Sequence, residues 1–187
     1  EVFSLDLRDK VCMDIGSSTG GFTDCMLQNG ARKVYAVDVG YGQLEWKLRN
    51  DPRVMVLERT NFRYMDHTLI EDKIDFYSVD VSFISLKLMF PNMAALAGDN
   101  AEAVTLIKPQ FEAGRERVGK NGIVKDKKTH MDVIQNVVSY GADHGFELIN
   151  LSFSPIKGAK GNIEYLAYFR HTGLTALTDY EEKIFNI

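Results

Sequence analysis

Residues 11–38 constrain the fold more than any other part of the chain. They open V-C-M-D-I-G-S-S-T-G-G-F-T-D at 11–24 and close V-Y-A-V-D at 34–38. An apolar run ends in Asp14 and opens into a loop with glycines at 16, 20 and 21. A helical segment follows, and a second apolar run ends in Asp38. The pattern is strand, glycine turn, helix and strand, with an acid closing the second strand. Such a unit lets backbone approach a nucleoside closely and offers its ribose hydroxyls a carboxylate.

The glycine spacing narrows the ligand. It is not the G-x-G-x-x-G of a dinucleotide site. Gly16 and Gly21 do fit G-x-x-x-x-G, but Phe22 stands where a P-loop needs Lys, so nothing would hold β/γ-phosphates. An acid just before the loop would also repel a pyrophosphate. A ligand with a cationic centre and a ribose suits the stretch better, and S-adenosylmethionine has both. The residues expected to bind it are Asp14, Gly16, Ser17, Ser18, Gly20, Gly21 and Phe22, then Asp38 and Val39 after the second strand.

Apolar runs and helical patterns alternate along the remaining sequence. Strands are predicted at 10–15, 33–38, 54–57, 74–79, 102–107, 146–153 and 163–170, and helices at 21–30, 42–50, 86–97 and 127–144. Regular alternation implies an α/β fold, a parallel sheet with helices on both faces. The link before the last strand, S-P-I-K-G-A-K-G-N, has no room for a helix, and a parallel crossover needs about a dozen residues or more. The seventh strand is therefore expected to run antiparallel. A seven-stranded, mostly parallel sheet of this kind is similar to the class I, Rossmann-like methyltransferases, a likeness of fold that does not itself assign a function. With 187 residues, 45% hydrophobic and 26% charged, a single domain over 1–187 is expected. T-D-Y-E at 178–181 reads as a capping box opening a final helix.

Ligands of open α/β sheets sit outside the carboxyl ends of the strands. Read strand by strand, that edge collects Asp14 and the glycine loop, Asp38, and then Asn61 and Phe62, whose amide and ring could flank an adenine. Strand four ends in V-D-V-S-F and brings Asp80, which also borders the cofactor site. Strand five ends in L-I-K-P-Q-F-E and brings Lys108. The antiparallel seventh strand starts at the same edge and brings Glu164. Each of these charges alone could be structural. Converging beside a nucleoside pocket, Asp80, Lys108 and Glu164 form a candidate catalytic set. Methyl transfer to an alcohol is an in-line displacement in which the hydroxyl needs its proton taken or its lone pair aimed, the work of a lysine held by carboxylates. The fourth-strand motif lacks the Pro-Pro of amine methylation, and neither cysteine lies near that edge, as carbon-5 cytosine methylation requires.

The formal net charge is −4, yet residues 108–128 hold seven Lys and Arg (Lys108, Arg115, Arg117, Lys120, Lys125, Lys127 and Lys128) against Glu112, Glu116 and Asp126. That segment is either a solvated loop or a contact for a phosphate backbone. Cys12 and Cys25 fall inside a predicted strand and helix, and read as buried apolar residues of a reducing compartment such as the cytoplasm. The histidines (67, 130, 144 and 171) lack ligand spacing, so no metal is expected. No apolar stretch reaches the ~18 to 20 residues of a membrane span, and the N-terminus has no signal-peptide pattern. The chain opens on Glu1 rather than Met, as a fragment would.

The segments D-I-G-S-S-T-G-G-F-T-D (14–24), V-Y-A-V-D-V-G-Y-G-Q-L (34–44), D-V-S-F-I-S-L (80–86), L-I-K-P-Q-F-E (106–112) and N-I-E-Y (162–165) together resemble the TlyA (haemolysin A) family. This family is a branch of the FtsJ-like ribosomal RNA 2′-O-ribose methyltransferases. The resemblance implies S-adenosylmethionine as donor and ribosomal RNA or a ribosomal subunit as acceptor. From the sequence itself no membrane partner is expected, with no spanning segment and no basic amphipathic helix, and no obligate protein partner is evident. The resemblance also implies a Lys-Asp-Lys-Glu tetrad whose last three members fall on Asp80, Lys108 and Glu164. The family's first lysine lies on a helix before the first strand. Lys10 is too close to Cys12 to be that residue, and the family's N-terminal S4-like RNA-binding domain is not expected within 1–187. The resemblance thus covers the catalytic domain and predicts weak turnover by it alone. Three other readings stay open: a membrane-lytic haemolysin, a cofactor- and RNA-binding module without catalysis, and a small-molecule O-methyltransferase. Basic residues at 115–128 and in Lys157-Gly158-Ala159-Lys160-Gly161 favour a polyanion over a small phenol.

Overall fold

The computed structural model describes residues 2–175. The elements in chain order are β1 (Val11–Ile15), α1 (Gly21–Gln28), β2 (Lys33–Val37), α2 (Trp46–Arg49), β3 (Val54–Leu57), β4 (Ile74–Val79), α3 (Phe90–Leu96), β5 (Ala97–Ile107), α4 (Pro109–Glu112), α5 (Lys127–Ala142), β6 (Phe146–Phe153) and β7 (Tyr165–His171). The strands form one sheet in the order β3-β2-β1-β4-β5-β7-β6. Strands β1 to β5 pair in parallel, whereas β7 runs antiparallel to both β5 and β6. The short link after β6 leaves only this arrangement, with Phe153 facing Tyr165 across the hairpin.

Every residue of β1 is buried, as expected of a central parallel strand covered on both faces. Its side chains alternate between two cores. Val11, Met13 and Ile15 join Tyr77, Met93, Val133 and Val137 on the side of α3 and α5. Cys12 joins Met26, Leu27 and Leu48 on the side of α1 and α2. Each large apolar side chain buried in this way contributes roughly 1.5–3 kcal/mol relative to exposure.

Three element boundaries and the burial of one cysteine depart from the sequence reading. The helix expected at 42–50 is a single turn, Trp46–Arg49, because the Gly42 amide donates to Glu58 and the Glu45 amide to the Thr19 carbonyl, which holds the preceding residues in a loop. The helix expected at 86–97 divides into a 3-10 turn at Leu86–Leu88 and α3, where Pro91 cannot donate an amide to the preceding turn. Strand β5 starts five residues earlier than expected, at Ala97, with its register to β4 shifted between Ile74 and Phe76. Cys25 is exposed rather than buried, whereas burial pushes the Cys12 thiol up to about 12 and keeps it protonated. The capping box at 178–181 lies outside the described residues. Among the described residues, no helix is long and apolar enough to cross a membrane.

Candidate active site

At the carboxyl end of β1 the chain turns into the glycine loop. The amides of Gly16 and Ser17 donate to the Val37 carbonyl at 2.9 and 3.1 Å, prolonging the β1–β2 pairing into the turn. Gly16 has φ +83°, and a Cβ there would lie 2.1 Å from the Asp80 carbonyl oxygen. Only glycine lets this loop rest against the end of β4. Ser18 then donates its amide to Asp38 Oδ2 at 2.8 Å, and Gly40 donates to Asp38 Oδ1 at 2.7 Å. Two backbone donors fix the Asp38 carboxylate, and each oxygen keeps a further lone pair for a ligand hydroxyl.

A cleft of about 410 Å³ lies between this loop and the end of β4. Gly16, Ser18, Asp38, Val39, Asn61 and Phe62 line one part of it and Asp80 another, so these seven expected residues meet in one place. Asn61 also accepts the Arg63 amide at 3.1 Å, which caps the next turn and aims its side chain. Phe62 is 4% exposed and packs into the core, so it forms the cleft wall rather than a free stacking platform.

The other five expected cofactor residues are placed differently. Asp14 is fully buried and does not open onto the cleft, because alternation along β1 turns it toward α1. Its oxygens accept from Thr23 Oγ1 at 2.7 Å and Ser78 Oγ at 2.8 Å. Burial pushes its carboxyl above the usual range, against the downward pull of both hydroxyls. Asp14 therefore braces β1, α1 and β4 from behind the loop. Ser17 contributes through its backbone and is 7% exposed. Gly20 caps α1 with φ +98°, its open side filled by Leu44 and Leu48, and Gly21 begins the helix. Phe22 projects from the first turn of α1 into a different, apolar cavity beside Val2, Phe3 and Leu166.

Beyond the cleft, β4 and β5 bring Asp80 and Lys108 into contact, and the start of β7 brings Glu164 to the same end of the sheet. Lys108 follows Ile107, and Glu164 precedes Tyr165, the residue paired with Ile107. Lys108 Nζ lies 2.5 Å from Asp80 Oδ1 and donates to Ser82 Oγ at 3.2 Å. Its side chain is 12% exposed, so the ammonium sits in a half-closed setting where its charge is matched by the aspartate. Glu164 is 6% exposed and accepts from Gln110 Nε2 at 2.8 Å. A Cβ on Gly158 would lie 2.0 Å from Glu164 Oε1, so the glutamate occupies space that the bare backbone of residue 158 vacates. Lys10 pairs instead with Glu102 and sits before β1, at the opposite edge of the sheet from Asp80.

The sequence reading took only the lysine from K-P-Q-F-E, yet the residues after it are fasteners too. Gln110 holds Glu164, and the Phe111 ring packs on Phe83 with centroids 4.7 Å apart. Glu112 accepts from Ser85 Oγ at 2.6 Å and from the Leu86 amide at 2.8 Å. Burial pushes the Glu112 carboxyl up, and these two donors pull it down. Alternating polar residues directly after a strand that ends in Lys-Pro were the available signal. Phe83 is 90% exposed with φ +64°, a strained conformation for a bulky residue, at the rim of the cleft.

A nucleoside-sized cleft over a Rossmann-like sheet, flanked by a paired lysine and aspartate, gives the domain the architecture of class I methyltransferases. The match to FtsJ-like methyltransferases runs over residues 1–171, and the chain belongs to that family. It is 54% identical over 172 residues to YqxC of Bacillus subtilis (strain 168), provisionally named an rRNA methyltransferase, covering 91% of this chain and 61% of that one. It is 42% identical over 170 residues to TlyA of Mycobacterium tuberculosis, named a 16S/23S rRNA (cytidine-2′-O)-methyltransferase, covering 91% and 63%. A solved structure from Streptococcus thermophilus, provisionally named a hemolysin, superimposes with a TM-score of 0.91 at 49% identity, covering 99% of this chain and 68% of that one. The chain thus spans less than two thirds of the lengths of YqxC and TlyA.

Proposed function

We propose that this chain transfers a methyl group from S-adenosylmethionine to a ribose 2′-hydroxyl of ribosomal RNA, in the cytoplasm. The observation that carries the reading is the Lys108–Asp80 pair at the mouth of the glycine-loop cleft, with Glu164 held beside the end of the same strand. The chain's own residues fit the donor. Asp38, fixed by two amides, suits the ribose hydroxyls; Gly16 admits the ligand close to backbone; Asn61 offers an amide and Phe62 an apolar wall. S-adenosylmethionine supplies an electrophilic methyl group on a sulfonium. Lys108, oriented by Asp80 and Ser82, first gives up its own proton to solvent. The neutral amine then receives the acceptor hydroxyl, aims its lone pair and takes its proton as the bond forms, which restores the ammonium paired with Asp80. Glu164, steadied by Gln110, balances the charge that this leaves around the lysine. Alignment of nucleophile and methyl group supplies much of the remaining rate. The names of the relatives support a 2′-hydroxyl over a base nitrogen or carbon.

The test is to incubate the protein with ribosomal subunits and methyl-labelled S-adenosylmethionine, hydrolyse the RNA with alkali and separate the products. Label in an alkali-resistant dinucleotide, which marks a blocked 2′-oxygen, is expected. Label in the mononucleotides, as methylation of a base gives, or none on RNA, overturns the proposal.

A further inference from the structure

A second cavity, of about 550 Å³, lies on the far side of the β7 start from the cleft. Its floor is apolar: Phe153 and Ile163 are 50% and 43% exposed, and Phe153 packs against Tyr165 at 5.3 Å between centroids. Its rim is cationic, carrying Lys125, Lys127 and Lys160. These lysines come from segments more than thirty residues apart, and among the described residues none has an ion-pair partner.

The cavity is built rather than incidental. Asn162 is 2% exposed, accepts the Val124 amide at 3.1 Å and donates to the Gly122 carbonyl at 2.9 Å, which stitches loop 119–124 to loop 158–162. His130 bonds the Val124 carbonyl and the Tyr165 hydroxyl, both at 2.9 Å, and fixes the back wall. Ile163 and Tyr165 line the cavity and flank Glu164 in sequence, so the cavity shares the start of β7 with the candidate catalytic glutamate, whose side chain turns the other way, to Gln110 and Gly158.

We propose that this cavity is a nucleotide subsite for the RNA strand, one that takes a residue next to the methylated ribose. The base stacks on Phe153 and Ile163, and Lys125, Lys127 and Lys160 hold the neighbouring phosphates. Exposed aromatic surface ringed by free cations is the chemistry by which single-stranded nucleic acid is bound. The inference rests on RNA being the methyl acceptor. It converts the basic segment from a solvated loop into one wall of a defined site.

The test uses the whole chain and a fluorescein-labelled single-stranded oligoribonucleotide, followed by anisotropy over a range of salt, so that its result is independent of turnover. The Lys125→Ala/Lys127→Ala/Lys160→Ala variant is expected to bind at least ~10-fold more weakly, with a log Kd against log salt slope shallower by about 2. Phe153→Ala is expected to lose about 5-fold through stacking, and Ile163→Ser a similar factor through lost apolar contact with the base. An Arg32→Ala/Lys73→Ala control, at the opposite edge of the sheet, should bind as the parent does. Equal binding by the triple variant, an equal loss in the control, a loss in the triple variant without one in either floor variant, or no binding by the parent chain each overturns the inference. Unchanged thermal midpoints show that the variants fold. The labelling experiment on ribosomal subunits separately decides whether RNA is the acceptor.

Discussion

On the β1–β2 side of the site, backbone amides hold the side chains; on the β4–β5–β7 side, side chains hold one another. Asp38 is fixed by Ser18 and Gly40, whose amides belong to turns already set by the sheet. Lys108, Gln110 and Glu112 instead reach Ser82, Glu164 and Ser85, which lie 26, 54 and 27 residues away. The first construction survives most side-chain changes outside its glycines. The second depends on several distant residues at once, so its members should couple in double-mutant cycles.

The largest expected effect separates these halves. Lys108→Ala should lower kcat about 10³-fold while leaving S-adenosylmethionine affinity within about 2-fold, read by single-turnover transfer and calorimetry. An equal loss of cofactor affinity would merge the two halves into one. Gly16→Ala should do the reverse. The positive φ costs a non-glycine residue about 1–2 kcal/mol, and the methyl group meets the Asp80 carbonyl, so cofactor Kd should rise at least ~10-fold. Behind the loop, Thr23→Val leaves the buried Asp14 one donor short, and should cost about 1–3 kcal/mol in urea unfolding. A cost near zero would mean that Asp14 is not the brace described above.

The smallest effect concerns pH. A carboxyl raised in the folded state binds its proton more tightly there than when unfolded. Its contribution to stability is therefore full below the ordinary carboxylate range and is lost as pH rises through the raised value. Glu112→Gln should flatten that decline, seen as a smaller drop in Tm between acid and neutral buffer. A steeper drop would contradict burial as the dominant influence on Glu112.

Much of the layout was legible because it is written locally. Alternating apolar runs gave the parallel strands, and the short link before residue 163 gave the antiparallel seventh. The same logic placed Asp80, Lys108 and Glu164 on one edge, since strand ends of a parallel sheet share a side. What stayed illegible depended on contacts between distant segments. Asp14 looked like part of the cofactor loop, but the strand's alternation turns it inward onto Thr23 and Ser78. Phe22 looked like part of that loop too, yet one step into α1 rotates it onto another face. The fastening roles of Gln110 and Glu112 need partners that only the folded sheet brings near. The expected helix at 42–50 failed for a related reason: Glu58 and Thr19, which hold its first residues, lie outside the segment.

The contact between Gly158 and Glu164 makes residue 158 a point of remote control. Adding a single methyl group there forces the Glu164 carboxylate to move without altering any charge, so on the role proposed for that glutamate turnover falls with no charged residue touched. Natural variation and directed evolution should accordingly find it among the least forgiving sites of loop 158–162.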